Sequence, residues 1–256
     1  MDVSHRTLIG TDENWDRMGG ILFVRMFELG LRERHTLLDV GCGSLRAGRL
    51  FIPYLREGNY FGLEPNKDFV EAGLLNELGR EIMDIKKPHF IHNTEFDVSG
   101  FPPPLMGFDY IFAHSIFTHT SLEQLNLGMK NLSQVLSTDG FFLSTFVLGD
   151  KDYEGNEWTD SICVAFRLDT IASIAERYGL FSREIKSWSH PAGQNWILMA
   201  KKEKLLDIIS DNDKTIVSHY QAENLMLREK MDSIGAKNSP LAMIRKLFIK
   251  KTPSQK

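Results

Sequence analysis

The sequence predicts an α/β protein with a doubly wound, mostly parallel sheet of seven strands that ends in an antiparallel C-terminal hairpin. Three observations support this fold. Short apolar runs alternate with segments of helical periodicity from residue 36 onward, a glycine turn separates the first run from the first helix, and the last two runs are joined by a turn alone. Alternating strands and helices favour parallel pairing, whereas two strands joined by a turn pair antiparallel.

The elements follow one another in a regular order. Residues 14–31 carry apolar side chains at helical spacing, interrupted by Gly19 and Gly20, which predicts one or two helices before the sheet. The apolar runs predict strands at Thr36–Val40, Tyr60–Leu63, Phe90–His92, Phe108–Ala113, Gly140–Phe146, Ser182–Trp188 and Asn195–Ala200. Helices are expected at Leu45–Leu55, Lys67–Leu78, Leu122–Leu136 and Asp169–Tyr178.

Composition narrows the class of protein. The chain has 256 residues, of which 42% are hydrophobic and 25% charged, enough for one sizeable core with an appendage. A net charge of −4 gives no global reason to expect a nucleic-acid partner. Cys42 and Cys163 lie in apolar runs, which indicates a reducing compartment. Without a signal-peptide pattern or a membrane-spanning apolar stretch, we expect a cytoplasmic protein.

The turn after the first predicted strand carries the strongest functional signal. Gly41 and Gly43 allow the backbone to approach a ligand closely. Glu64 directly follows the second predicted strand, where a carboxylate can accept both hydroxyl protons of a ribose. The combination predicts an adenosine-containing ligand.

Arg46 bears on which ligand binds. A dinucleotide site requires a small residue three positions after its second glycine, where this chain has Arg46, so NAD and FAD are disfavoured. S-adenosylmethionine has no pyrophosphate but has a carboxylate, for which Arg46 is a reasonable neighbour. A solvated helix face carrying Arg46 and Arg49 is the alternative.

The stretch from Leu37 to Phe146 resembles the class I S-adenosylmethionine-dependent methyltransferases, which have a Rossmann-like fold. The resemblance implies that the Asp39–Gly43 turn holds the methionine portion of this cofactor and that Glu64 holds its ribose. It also implies adenine contacts from Asn93–Asp97 and places Ala113–His119 beside the transferred methyl group. The expected cofactor residues are Asp39, Gly41, Cys42, Gly43, Arg46, Glu64, Pro65, Asn66, Glu95, Phe96, His114 and Ser115.

Four motifs together are similar to a bacterial subfamily that is associated with the synthesis of surface polysaccharides or glycoconjugates. They are Gly41–Arg46, Tyr60–Asn66, His114–His119 and His190–Trp196, and the resemblance covers residues 10–202. One departure is Leu45, which stands where many members have the third glycine of G-x-G-x-G.

Methyl transfer from a sulfonium depends mainly on positioning the acceptor, and a hydroxyl acceptor also benefits from a general base. Histidine suits that role, and the resemblance makes His119 the expected catalytic residue. The alternative is that His119 only shapes its loop. Expected acceptor contacts, each with a structural or core role as the alternative, are Tyr153, Trp158, His190 and Gln194. No grouping at metal-ligand spacing is evident, so we expect a metal-free reaction.

These residues predict an S-adenosylmethionine-dependent methyltransferase that O-methylates a sugar or a glycan-associated acceptor, with N-methylation and phosphate methylation left open. The alternative is a cofactor-binding assembly or regulatory protein without turnover. Both hypotheses require an intact cofactor site, so that site does not separate them.

The C-terminal part changes in composition. We expect a methyltransferase domain at 1–202, an amphipathic or coiled helix at 203–236 and a basic amphipathic tail at 237–256. The heptad-like pattern of 217–234 is compatible with a homodimer or with a helix packed on its own domain. Cationic residues opposite an apolar stripe at 239–251 suggest contact with an anionic membrane surface, which would place the enzyme peripherally at the inner face of the membrane. A disordered end and a partner-binding helix are the alternatives.

Overall fold

The structure, a computed structural model, describes residues 5–9, 14–102, 107–160 and 162–208. The predictions for 217–234 and 239–251 lie outside these residues, and the predicted domain boundaries stay predictions. Within the described part, no helix combines the length and the apolar character that crossing a bilayer requires.

Eight strands and six α-helices form the described fold. The strands are β1 (Leu37–Val40), β2 (Tyr60–Leu63), β3 (His89–Ile91), β4 (Phe108–Ala113), β5 (Leu136–Leu148), β6 (Ala165–Phe166), β7 (Phe181–Glu184) and β8 (Asn195–Ala200). The helices are α1 (Trp15–Glu28), α2 (Gly48–Tyr54), α3 (Lys67–Gly73), α4 (Arg80–Lys86), α5 (Leu122–Val135) and α6 (Leu168–Arg177). Short 3₁₀ segments lie at His5–Ile9 and Glu203–Ile208, and a π-helical turn lies at Leu74–Leu78.

The sheet has the order β3-β2-β1-β4-β5-β8-β7, and β6 pairs with the end of β5. Strands β1 to β5 pair in parallel, whereas β8 runs antiparallel to both β5 and β7. The predicted α/β fold with its antiparallel C-terminal edge is therefore confirmed. Strand β2 pairs with one edge of β1, and β4 pairs with its other edge. The connections that follow β1 and β4 therefore run in opposite directions, which leaves a crevice beyond the carboxyl ends of these two strands.

Both faces of the sheet are covered, and strand alternation divides the core between them. In β4, Tyr110 and Phe112 belong to the cluster that also contains side chains of α1 and α2. Ile111 and Ala113 belong to the opposite cluster, together with side chains of α5 and α6. Successive residues of a strand point to opposite faces, so a parallel sheet covered by helices on both sides needs apolar residues at nearly every position.

Several elements differ from the sequence-based expectation. The helix predicted from Leu45 begins only at Gly48, because Leu45 has a left-handed backbone with φ +66°. The helix predicted for Lys67–Leu78 is divided into α3 and the π-helical turn. Helix α4 has no fully buried residue, and only Ile82 and Met83 pack against the core, so its seven residues give too short a pattern to predict a helix.

Candidate active site

The carboxyl ends of β1, β2 and β4 meet at the crevice, and the turn after β1 is fastened to the end of β2. The backbone N–H groups of Gly41 and Cys42 donate to the carbonyl oxygen of Leu63, at 2.7 and 3.2 Å. The N–H of Gly43 donates to the Oε2 atom of Glu64 at 3.0 Å. These internal bonds fix the turn in one shape before any ligand arrives.

The close approach of Ile116 explains the glycine at position 41. Gly41 has φ +67°, and a β-carbon there would overlap the side chain of Ile116, which packs directly on the backbone. A side chain at position 41 would therefore be strained and would push Ile116 toward the crevice.

Glu64 sits at the end of β2 with its carboxylate held by two backbone donors. Besides the bond from Gly43, its Oε1 atom accepts from the N–H of Asn66 at 3.0 Å. Burial raises the pKa of Glu64, and the two N–H bonds oppose this rise. A carboxylate has about four lone-pair positions, so two remain for the hydroxyl groups of a ligand.

A cavity of about 340 Å³ opens beside Glu64. It is lined by Val40, Gly41, Leu63, Glu64, Pro65, Phe69, Asn93, Thr94, Phe96, Ile116, Gln124, Trp158 and Asp160. Its size lies in the range of small-ligand sites, and apolar walls with a few polar groups are typical of them. The described lining includes two carboxylates and no cationic side chain, a charge distribution that suits a nucleoside bearing a positively charged sulfonium. The residues present therefore fit S-adenosylmethionine.

Some of the expected cofactor residues line the cavity, and others hold the residues that line it. Gly41, Glu64, Pro65 and Phe96 line the cavity. Gly43 and Asn66 instead orient the carboxylate of Glu64 through their N–H groups.

Glu95 is exposed and bonds to Thr94 rather than lining the cavity, although its backbone carbonyl oxygen accepts from Asn131 of α5. The contact that the sequence predicts for the Glu95 side chain stays a prediction.

Asp39 and Cys42 are both buried, outside the cavity lining. Burial raises the pKa of Asp39 to about 7, although the hydroxyl of Tyr60 donates to its Oδ2 atom at 2.8 Å and opposes the rise. Burial also raises the pKa of the Cys42 thiol well above its ordinary value, so this cysteine stays protonated and packs as a small apolar residue.

Arg46, His114 and His190 form a second polar cluster, between the turn after β1 and the loop before β8. The guanidinium Nη2 of Arg46 lies 3.2 Å from Nδ1 of His114, and Nε2 of His114 lies 3.0 Å from Nε2 of His190. Beside them, Gln194 donates through Nε2 to the hydroxyl oxygen of Ser115 at 2.6 Å. Sequence reasoning assigned these residues separately to cofactor and acceptor, and the structure brings all five together.

His119 is fixed by the loop that connects β5 to β6. Its Nδ1 atom donates to the carbonyl oxygen of Thr159 at 2.7 Å, and its own carbonyl oxygen accepts from the N–H of Thr159 at 2.9 Å. The ring lies 5.5 Å, centroid to centroid, from the ring of Trp158, which lines the cavity. His119 thus lies beside a residue of the cavity lining, and the roles predicted for His119 and Trp158 stay predictions.

Tyr153 lies elsewhere. It packs against the core cluster that contains α5 and α6, and it is absent from the described cavity lining. Phe69, Gln124 and Asp160 line the cavity but were not singled out from the sequence. Only Gln124 had a usable signal, because it completes a capping box with Ser121 at the start of α5.

Backbone strain is concentrated at this edge of the sheet. Leu45, Phe96 and Ser115 have φ values of +66°, +55° and +59°, respectively, which non-glycine residues rarely adopt. Each such residue costs on the order of 1–3 kcal/mol, and strain of this kind is often found where a ligand binds. Among the described residues, no group of three or more His, Cys, Asp or Glu side chains converges to hold a metal ion.

Residues 38–142 match a family model described as a methyltransferase domain. The matched segment runs from β1 into β5 and includes the glycine turn and Glu64. The predicted enzyme class, an S-adenosylmethionine-dependent methyltransferase, is thereby confirmed.

Solved structures share the fold of this chain. YcgJ from Bacillus subtilis is 16% identical, with a TM-score of 0.54 over 72% of this chain and 99% of that one. An S-adenosylmethionine-dependent methyltransferase from Clostridium acetobutylicum is 11% identical, with a TM-score of 0.51 over 74% and 92%. Magnesium protoporphyrin IX methyltransferase from Synechocystis PCC 6803, solved with bound S-adenosylhomocysteine, is 11% identical, with a TM-score of 0.52 over 74% and 87%.

Proposed function

We propose that this enzyme transfers the methyl group of S-adenosylmethionine to a hydroxyl group of a sugar or a glycan-associated acceptor, with His119 as the general base. The bound cofactor supplies an electrophilic methyl group whose leaving thioether is neutral. The protein must therefore hold the two reactants in line and remove the hydroxyl proton.

The proposal of a general base depends on which ring nitrogen of His119 bears the hydrogen. A carbonyl oxygen only accepts hydrogen bonds, so the bond to Thr159 places the hydrogen of the neutral ring on Nδ1. The Nε2 atom then presents a lone pair, which is the arrangement that a general base needs. The ring also lies beside Trp158, which lines the cavity, so this base is close to the place proposed for the acceptor.

The remaining groups position the reactants. Glu64 is placed to accept hydrogen bonds from the ribose hydroxyls, and Phe96 offers an apolar face to the adenine. Trp158 is 41% exposed beside His119, and its Nε1 donates to Asp160 at 2.8 Å, which holds the ring at the cavity mouth. An aromatic ring at this place can stack on the apolar face of a sugar.

Two substitutions of His119 distinguish a role as general base from a role in shaping the loop. Asparagine can reproduce the Nδ1 donor toward Thr159 but has no counterpart of Nε2. We expect His119→Asn to bind S-adenosylhomocysteine like the wild type and to transfer radiolabelled methyl groups into glycan intermediates 10²- to 10⁴-fold more slowly, roughly the contribution of a general base. His119→Ala should lose both functions, and added imidazole should restore part of the transfer.

The measurement also tests the alternative of a protein without turnover. Binding of S-adenosylhomocysteine with no methyl transfer to any tested glycan intermediate would support that alternative. If His119→Asn transferred methyl groups at the wild-type rate, the assignment of the base would be wrong.

A further inference from the structure

Ser115 lies just beyond the end of β4 and has a backbone conformation that is unfavourable for serine. Its φ of +59° is in the left-handed region, which is disfavoured for any residue with a β-carbon. The chain bends at 114–116, and the next residue, Ile116, packs on the backbone of Gly41 and lines the cavity beside Glu64. The conformation of Ser115 therefore decides where one wall of this cavity lies.

Two side chains hold Ser115, one at its backbone and one at its hydroxyl group. The N–H of Ser115 donates to Oγ1 of Thr145 at 2.8 Å, and its Oγ atom accepts from Nε2 of Gln194 at 2.6 Å. Thr145 is fully buried and Gln194 is 8% exposed, so water competes little for either bond. Because backbone and side chain are both anchored, a different φ at Ser115 would break at least one of these bonds.

Both anchors are attached to the central sheet. Thr145 lies on β5, which pairs with β4, and Gln194 immediately precedes β8, which pairs with β5 from the other side. The two anchors thus come from segments 30 and 79 positions away from Ser115 along the chain. Because the strand pairing fixes both segments, the anchors are in place before any ligand binds.

We propose that Gln194 and Thr145 are positioning residues for the cofactor. They hold Ser115 in the left-handed conformation, which places Ile116 against Gly41 and gives the cavity the shape that S-adenosylmethionine requires. This role rests on the proposed binding of the cofactor beside Glu64, but not on the choice of acceptor or base. It is separate from the acceptor contact that the sequence predicts for Gln194, which stays a prediction.

The amide of Gln194 makes its hydrogen bond with Ser115 and no second one in the described part of the chain. Its Oε1 atom is buried and has no hydrogen-bond partner among the described residues, which lowers the stability of the fold. Gln194→Met keeps a side chain of similar length but removes both the bond to Ser115 and the unsatisfied oxygen. These two effects on stability oppose each other, so we expect a urea midpoint close to that of the wild type.

Cofactor affinity should respond even where stability does not. Without the bond from Gln194, Ser115 should leave the left-handed region in part of the molecules, and Ile116 should move with it. The apparent affinity of a ligand falls with the fraction of molecules in the conformation that binds it. The contribution of one uncharged hydrogen bond corresponds to a change of roughly three- to tenfold in such an equilibrium.

The test measures the Kd for S-adenosylhomocysteine by calorimetry with variants of the full-length chain. Ser115→Ala and Ser115→Gly both remove the hydroxyl that Gln194 holds, but only alanine keeps the β-carbon that disfavours the left-handed region. We expect the Kd to rise roughly three- to tenfold in Ser115→Ala and in Gln194→Met, and no further when the two are combined, because both remove the same bond. Ser115→Gly should bind more tightly than Ser115→Ala.

Ser144 provides a matched control, because it carries another buried hydroxyl group next to Thr145 on β5. Its Oγ donates to the carbonyl oxygen of Ala113 at 3.0 Å. Ala113 lies within β4 and keeps its pairing with β5 when this bond is lost. Ser144→Ala should therefore lower the urea midpoint without changing the Kd for S-adenosylhomocysteine.

Three results would refute the positioning role. They are a wild-type Kd in Gln194→Met, equal weakening by Ser115→Ala and Ser115→Gly, and equal weakening by Ser144→Ala and Ser115→Ala. If Glu64→Gln weakened binding while Gln194→Met did not, only the positioning role would be wrong. If neither weakened it, the proposed place of the cofactor would be wrong as well. Should Gln194→Met fail to fold, the two variants of Ser115 give the answer.

Discussion

The hydroxyl group of Tyr60 donates a hydrogen bond of 2.8 Å to the Oδ2 atom of Asp39, next to the glycine turn. Tyr60 lies on β2 and Asp39 on β1, so the bond joins two strands whose carboxyl ends line the cavity. This bond provides a hydrogen-bond partner for a carboxyl group that is buried away from water. The bond does not offset the full cost of burying a charge there, since the pKa of Asp39 still rises to about 7.

Replacing this acid should change how stability depends on pH. In the unfolded chain Asp39 ionises near its ordinary pKa of 3.8, whereas in the folded chain it keeps its proton until about pH 7. The wild type therefore loses stability as pH rises from about 4 to 7, by on the order of 4 kcal/mol, and the loss is constant above that range. Asp39→Asn should lack this loss and gain most at pH 8, as measured by urea unfolding.

The control is Asp150→Asn, which removes an exposed carboxylate in the loop after β5. It should follow the wild-type pH dependence. Equal pH dependence of stability for Asp39→Asn and Asp150→Asn would show that the buried carboxyl group is ionised in the folded protein at neutral pH.

Glu64→Gln should selectively impair cofactor binding. The amide keeps one acceptor oxygen but places an NH₂ group against the N–H of either Gly43 or Asn66, both of which donate to the carboxylate. Losing charge-assisted hydrogen bonds of this kind costs about 1.5–3 kcal/mol. We expect the Kd for S-adenosylhomocysteine to rise roughly 10- to 150-fold by calorimetry. Glu71→Gln, an exposed change on α3, should leave the Kd unaltered.

The sequence was sufficient to predict the sheet and the positions of Gly41 and Glu64, because both depend on local patterns. A glycine turn after an apolar strand, and an acid after the next strand, are set within a single βαβ unit. The alternation of apolar runs and helical segments likewise determines the parallel sheet.

The sequence could not predict contacts between distant segments. The bond from His119 to Thr159 joins residues 40 positions apart, and the contact of His114 with His190 joins residues 76 positions apart. No spacing rule covers such pairs, since they depend on how the loops after β5 and before β8 return to the sheet edge. Asp160 also reaches the cavity through the loop after β5, so its position could not be predicted from the sequence.

Leu45 offers a test of backbone strain at the cofactor turn. Its side chain is fully buried and its φ is +66°. Leu45→Ala should destabilise the fold by about 2–5 kcal/mol because it leaves a cavity. Leu45→Gly removes the same side chain but relieves the left-handed backbone, worth about 1–2 kcal/mol, so it should be the more stable of the two.

Leu50 gives the matched comparison, since it lies in helix α2. There glycine should be less stable than alanine by about 1 kcal/mol. If chemical denaturation gave the same order of stabilities for both positions, Leu45 would not be strained.

Gly41→Ala should affect the ligand site more than the fold. The new β-carbon would overlap Ile116, whose end can move, so the cost falls on the cavity that Ile116 lines. The positive φ at position 41 adds a cost of about 1 kcal/mol for alanine, so we expect moderate destabilisation of the fold. We also expect the affinity for S-adenosylhomocysteine to fall at least tenfold (~1.4 kcal/mol). Adding Ile116→Ala to this variant removes the overlap and should recover part of the affinity.

Gly20→Ala is the control for adding a methyl group. A β-carbon at Gly20 of α1 meets nothing within 4 Å, so alanine there should stabilise the helix by about 0.5–1 kcal/mol and leave the Kd unchanged. If the double variant bound no better than Gly41→Ala alone, steric displacement of Ile116 would not be the cause. The backbone at position 41 itself would then have to contact the cofactor, and glycine would be required there for close approach of the ligand rather than for packing against Ile116.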